Sequence, residues 1–187
     1  MGKTQRYAWV AFWIISVHFF ISYFHRVCPA VVAPDLMKSF GISAASLGVL
    51  ASSYFLAYGV MQIPVGILAD SWGVKKTVTL FGGLTALGGV AFGLAPSFGW
   101  ATAARILVGI GVSAFFVCAM KLFAGWFTGN RYARISGLFL GFGGLGWFAA
   151  TTPLAYLAQG LGWRGSFLVI GGAGLLLTVC TWLWLVE

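Results

Sequence analysis

Charge is what this sequence has least of. Charged side chains make up 7% of its 187 residues, and only Asp35, Asp70 and Glu187 are acidic. A water-soluble domain carries about 25% charged residues. With 60% hydrophobic residues and so little charge, the chain cannot cover a water-facing surface, so lipid must be part of its solvent. Cysteine is also scarce. Cys28, Cys118 and Cys180 stand far apart in apolar stretches, which excludes a disulfide framework or a clustered zinc site and leaves thiols acting as small hydrophobes. Alternating apolar and polar residues are absent from the apolar runs, which excludes a barrel. No nucleophile–base pair, metal-ligand cluster or glycine-rich phosphate loop is found, so neither an enzyme nor a bound cofactor or metal is expected. The net charge of +8 does not imply nucleic acid, because the 11 basic residues are dispersed between apolar runs rather than gathered on one face. The start Met1-Gly2-Lys3-Thr4-Gln5-Arg6 lacks the Ser or Thr at position six that N-myristoylation requires. The apolar run after it is too long for a signal peptide and five more follow, which fits an uncleaved first span.

What the sequence does have is six long apolar runs, at about 7–32, 44–69, 77–95, 99–126, 133–158 and 166–185. Each reaches about the 20 residues needed to cross a hydrocarbon core. Turn-forming residues punctuate them: Pro29 and Pro34, Ser71-Trp72-Gly73, Ala95-Pro96-Ser97, Thr128-Gly129-Asn130 and Gly160-Leu161-Gly162. The short loops predict consecutive helices as antiparallel neighbours in one all-α bundle. Lys3, Arg6, Lys75, Lys76, Arg131 and Arg134 fall on one side of it, against Lys38 and Arg164 on the other. By the positive-inside rule both termini are cytoplasmic, in a bacterial inner (plasma) membrane.

An internal repeat is present. At a shift of 89 residues Pro64 meets Pro153, Leu68 meets Leu157, Ala69 meets Ala158, Gly73 meets Gly162 and Gly82-Gly83 meets Gly171-Gly172. Ten of the 45 pairs from Ala44 to Gly88 are identical, against about four or five expected by chance for this composition. Duplication of a three-helix unit predicts two repeats, about 7–95 and 99–185, within one domain spanning 1–187. Three is odd, so the second copy enters from the opposite side and the repeats are inverted, an architecture that transporters use.

Ionisable groups within a span are costly and commonly face a cavity or a partner. His18, Ser22 and Arg26 share one face of the first helix at helical spacing, a face that can line a polar cavity. Arg26 can hold a carboxylate or phosphate through two parallel hydrogen bonds, or it can snorkel. Arg105 suits a structural, gating or substrate role, and Lys121 either snorkels to the inner interface or faces the cavity. His25 is a candidate for proton coupling. Tyr54, Tyr58 and Gln62 can add hydrogen bonds from one face of the second span, or pack. No acid lies deep in a span, so the interior is purely basic and attracts anions.

The most specific stretch is Gly66-Ile67-Leu68-Ala69-Asp70-Ser71-Trp72-Gly73-Val74-Lys75-Lys76. Gly66 permits a close helix approach, Asp70 can accept from a helix N-terminus or pair with a cation, and Gly73 permits a tight turn. This resembles the signature loop of the major facilitator superfamily, G-x-x-x-D-R/K-x-G-x-R/K-R/K, with Ser71 where the family has Arg or Lys. Arg105-Ile-Leu-Val-Gly109-Ile-Gly111 resembles its R-x-x-x-G-x-G motif. Trp126-Phe127 with Arg131 resembles its WF…R, and Gly162-Trp163-Arg164 its GWR. Tyr23-Phe24-His25-Arg26 and Pro34-Asp35-Leu36 resemble the sugar-phosphate permease and organic-anion branches. That likeness implies an anion contact at Arg26 and a latching or gating role for Gly66, Asp70, Gly73, Lys75, Lys76, Arg105 and Gly109. His25 stands where those branches have Asp, and Val112 where symporters have Glu.

The resemblance covers the N-terminal half of a twelve-span transporter. It implies transport of a small organic anion by alternating access against a second six-helix bundle. An end at Glu187 fits a truncated chain best, with a half-transporter that dimerises or two separately encoded halves as alternatives. A membrane scaffold or receptor that kept the fold without transporting is the rival from another class.

Overall fold

The computed structural model describes the backbone of residues 3–186 and the side chains of residues 6–186. The charge of Lys3 and all of Glu187 lie outside the described residues. Among those residues the chain is helical with no strand: α1 (Lys3–Val31), α2 (Ala33–Phe40), α3 (Ala44–Ser71), α4 (Val74–Gly93), α5 (Phe98–Val112), α6 (Ala114–Trp126), α7 (Asn130–Ala149) and α8 (Thr152–Trp184). Helices satisfy their backbone polar groups internally, which a hydrocarbon solvent demands. Their starts are capped where polar residues allow. Ser43 accepts from the Ser46 amide at 3.3 Å ahead of α3, and Ser97 from the Trp100 amide at 3.4 Å ahead of α5.

The six expected spans map onto α1, α3, α4, the α5–α6 pair, α7 with residues 152–161, and residues 163–184. Four stretches are long and apolar enough to cross a membrane by length and composition: Arg6–Val31, Ala44–Ser71, Phe98–Trp126 and Thr152–Trp184. α4 and α7 are less apolar because each carries two basic residues in its first turns, Lys75 and Lys76 in one and Arg131 and Arg134 in the other. Three details differ from expectation. The segment after Val31 is the short helix α2, which Pro34 at its first turn favours. The fourth span keeps helical φ and ψ through Ser113 and runs as one stretch from Phe98 to Trp126, whereas the fifth is interrupted at Ala150–Thr151. The last span restarts at once after Gly162, whose φ of 70° and ψ of 164° make the whole turn in one residue. Gly73, its partner in the 89-residue shift, has φ 90° and ψ 162°. Both lie at positive φ, where a side chain is disfavoured.

Of the consecutive spans expected as neighbours, α4 and α5 do pack extensively, but most of the main partners are distant in the chain. α1 packs on α7 and α8, α4 on α5 and α8, and α3 on α5. Glycines decide this by letting backbones touch. A Cβ on Gly109 of α5 would collide with the Tyr54 carbonyl of α3, and one on Gly146 of α7 with the Phe20 carbonyl of α1. In the most apolar 18 residues of α5–α6, 61% are buried, against 11% for α3. The former pair is therefore the axis of the bundle and α3 an outer wall. A Cβ on Gly66 would meet nothing within 4 Å, so no helix of this chain makes the close approach expected there.

These contacts give a paired prediction. Gly109→Leu should destabilise the bundle by about 3 kcal/mol, the upper end of overpacking, whereas Gly66→Leu should change it by less than about 0.5 kcal/mol. Thermal unfolding in detergent measures both.

Candidate functional site

Along α3, Tyr54 and Tyr58 lie one helical turn apart, and each carries a guanidinium on its ring. Arg105 Cζ sits 4.4 Å from the Tyr54 ring centroid, and Arg26 Cζ sits 4.9 Å from that of Tyr58. The ring of Tyr23, a turn before Arg26 on α1, also lies against this guanidinium, its centroid 4.7 Å from Cζ. Cation–π attraction of this kind strengthens as water is withdrawn. Tyr23 entered the sequence reading only as part of the stretch ending in Arg26 and not as a site residue, although its i−3 spacing from Arg26 was a usable signal.

The two arginines differ in access. Arg26 is half-buried, whereas Arg105 is 1% exposed. Arg105 Nη2 donates to the His25 carbonyl at 2.8 Å, tying α5 to α1. Its Nε and Nη1, and Nε of Arg26, are buried with no hydrogen-bond partner. The described acids are Asp35 and Asp70, and neither pairs with these arginines. Two guanidinium groups thus face α3 without a compensating carboxylate, and a buried cation in that condition favours an incoming anion.

The remaining candidates divide between this site and the frame around it. Ser22 is buried and its carbonyl accepts from Tyr54 Oη at 3.3 Å, so it orients the ring beneath Arg105. Gln62 donates to the carbonyls of Tyr58 and Ser113, each at 3.4 Å. The second bond ties α3 to the junction between α5 and α6. His18 is not beside Arg26. It is buried against Phe115, and its Nε2 lies 2.8 Å from Thr181 Oγ1. The Thr181 hydroxyl donates to Leu177 O at 2.8 Å, so His18 Nε2–H is the donor to it. His25 is likewise buried, near Phe167 and Gly89, with Nδ1 unpartnered.

The signature-loop residues form a second cluster at the far end of α3. Lys121 Nζ donates to Asp70 Oδ1 at 2.7 Å and to the Ala69 carbonyl at 2.6 Å. Lys121 therefore lies with the loop and not with Arg26, and it supplies the cation that Ser71 cannot. Ser71 instead returns its hydroxyl to Ile67 O at 2.8 Å. Lys75 Nζ lies 5.4 Å from the Trp182 ring, and Lys76 is exposed. The Lys121–Asp70 pair is 41% and 78% exposed, so it contributes little to stability.

The same architecture recurs in known proteins. The family model described as Major Facilitator Superfamily matches residues 15–187. The chain is 30% identical over 159 residues to the "Probable L-galactonate transporter" of Escherichia coli, covering 85% of this chain and 35% of that protein. It is 28% identical over 162 residues to the "Probable sulfoacetate transporter" of Cupriavidus necator, covering 87% and 38%. The chain thus spans less than half the length of these relatives. The crystal structure of a bacterial homologue of the human lysosomal transporter Spinster, inward-facing and occupied, superposes with a TM-score of 0.89 at 21% identity, covering all of this chain and 45% of that one.

The unpaired state of Arg105 is testable by stability. Arg105→Met should leave thermal stability within about 1 kcal/mol of the wild type or above it, because an apolar replacement relieves an uncompensated buried cation. A loss of about 3 kcal/mol or more would instead mean that the bond to the His25 carbonyl holds α1 to α5.

Proposed function

Because the chain belongs to the major facilitator superfamily, we propose that it forms one wall of a pathway for a small organic anion, moved by alternating access. The observation that carries this reading is the pair of guanidinium groups, from α1 and α5, stacked on tyrosines one turn apart on α3, neither matched by a described carboxylate. Arg26, the accessible one, takes the carboxylate or sulfonate in a bidentate grip while Tyr23 and Tyr58 fix its plane. Arg105 adds its field from behind the Tyr54 ring, which the Ser22 carbonyl holds in place. The names of the two relatives fit this chemistry, since galactonate carries a carboxylate and sulfoacetate a carboxylate and a sulfonate.

Alternating access needs a second six-helix bundle, either a C-terminal half or a second copy. α3 offers it a seat. Leu56, Val60, Ile63 and Ile67 are 62–78% exposed along one face, and Gly66 leaves open space among them. At the cytoplasmic end of this seat, Asp70 and Lys121 act as the latch beside Gly73, Lys75 and Lys76. Both termini are cytoplasmic by the positive-inside rule, and a bacterial inner membrane fits the bacterial relatives. His25 is too enclosed to exchange protons without movement of α1, so anion exchange or facilitated transport fits better than proton coupling at that residue.

Uptake of radiolabelled galactonate and sulfoacetate into proteoliposomes holding both bundles tests the reading. Arg26→Ala should raise KM by about 10- to 100-fold, the loss of a charge-assisted hydrogen bond, with thermal stability little changed. Unaltered KM in that variant would remove Arg26 from the site. Absence of uptake of any organic anion by the wild type would favour a non-transporting scaffold.

A further inference from the structure

α7 uses its glycines in two ways. Gly143 and Gly146 press against Phe19 and Phe20 of α1, whereas Gly137 and Gly141 have nothing within 4 Å of where a Cβ would lie. The missing side chains hollow out a groove of about 830 Å³ between α1 and α7. Its walls are apolar and aromatic, with Trp9, Trp13, Phe142 and Leu145 among them, and Arg134 is the one charged residue lining it among the described residues. Trp13 is 52% exposed and meets Phe142 edge-on at 5.7 Å. Tryptophans at one end of a span mark the membrane–water interface. Arg134 stands at that level, with Arg131 one turn before it and Arg6 one turn before Trp9, all three exposed. Asp70 is the one described acid at this end of the bundle, and Lys121 occupies it. No described carboxylate neutralises the basic rim of the groove.

We propose that this groove is a binding site for an anionic phospholipid of the adjoining leaflet. One acyl chain lies along Gly137 and Gly141, and the headgroup phosphate meets Arg134. An apolar trough alone would take any lipid. The unneutralised arginine at its interfacial end selects charge, and the flanking tryptophans set the depth of the headgroup. The site faces away from the Arg26–Tyr58 cluster, since Trp13 lies on a different side of α1 from Arg26, so lipid would act on the α1–α7 seam and not on the anion pathway.

Native mass spectrometry of the detergent-solubilised chain, titrated with palmitoyl-oleoyl phosphatidylglycerol or phosphatidylcholine, tests this. Phosphatidylglycerol should bind at least about five-fold more tightly, the attraction of roughly one basic side chain near the surface. Arg134→Gln should abolish that preference and leave phosphatidylcholine binding unchanged. Gly141→Leu, which fills open space without a clash, should weaken both lipids. Lys38→Gln, at the opposite end, should alter neither. Equal binding of the two lipids by the wild type would overturn the proposal. So would equal losses in the Arg134 and Lys38 variants, which would mean that net charge and not the groove governs binding.

Discussion

Between helices in a membrane, apolar side chains gain little from leaving lipid for one another, so close packing has to supply the adhesion. In this bundle that packing is concentrated where glycine lets one backbone rest on the next. Gly109 against Tyr54 sets the crossing of α5 on α3, and Gly146 against Phe20 sets that of α7 on α1. The same logic recurs inside the bundle, where Gly88 meets Val108 and Ala104, and Gly171 meets Val90 and Ala86. These crossings decide which helices are neighbours. They therefore decide which side chains are forced together, including the arginines.

Arg105 shows the dependence clearly. It is four residues from Gly109 and so shares its face of α5. The close approach at Gly109 brings Tyr54 under the guanidinium, and Tyr54 in turn reaches the Ser22 carbonyl on α1. A bulkier residue at position 109 would separate the three helices whose surfaces meet at this point. Position of the charge and packing of the bundle are thus one problem, solved by a missing side chain. The cost is an arginine with two unserved nitrogens in a low-dielectric interior.

Much of this was legible in the sequence for physical reasons. Span number follows from hydrocarbon thickness, and the basic interior follows from the absence of deep acids. Asp70 was readable as one half of an ion pair because a carboxylate at a helix end needs a partner. That partner was not. Lys121 is 51 residues away, and whether it snorkels, lines a cavity or closes a latch depends on how α6 rotates against α3. His18 and Arg26 share a helical face in projection, but a buried face is divided among several neighbours. α8 takes His18, while α3 takes Arg26. Periodicity tells which residues point together and not what stands opposite them. The bond from Gln62 to the Ser113 carbonyl was invisible for a related reason, since its acceptor lies on another helix.

The bond between His18 and Thr181 joins residues 163 apart, and this separation has a consequence for synthesis. Chains elongate at about 5–20 residues per second, so His18 is made roughly ten to thirty seconds before its acceptor exists. Through that interval the His18 imidazole N–H lacks the acceptor it has in the finished bundle. α3 waits less, because α5 follows soon after it. Assembly of this bundle therefore cannot proceed strictly from first helix to last. Its oldest helix is completed by its youngest.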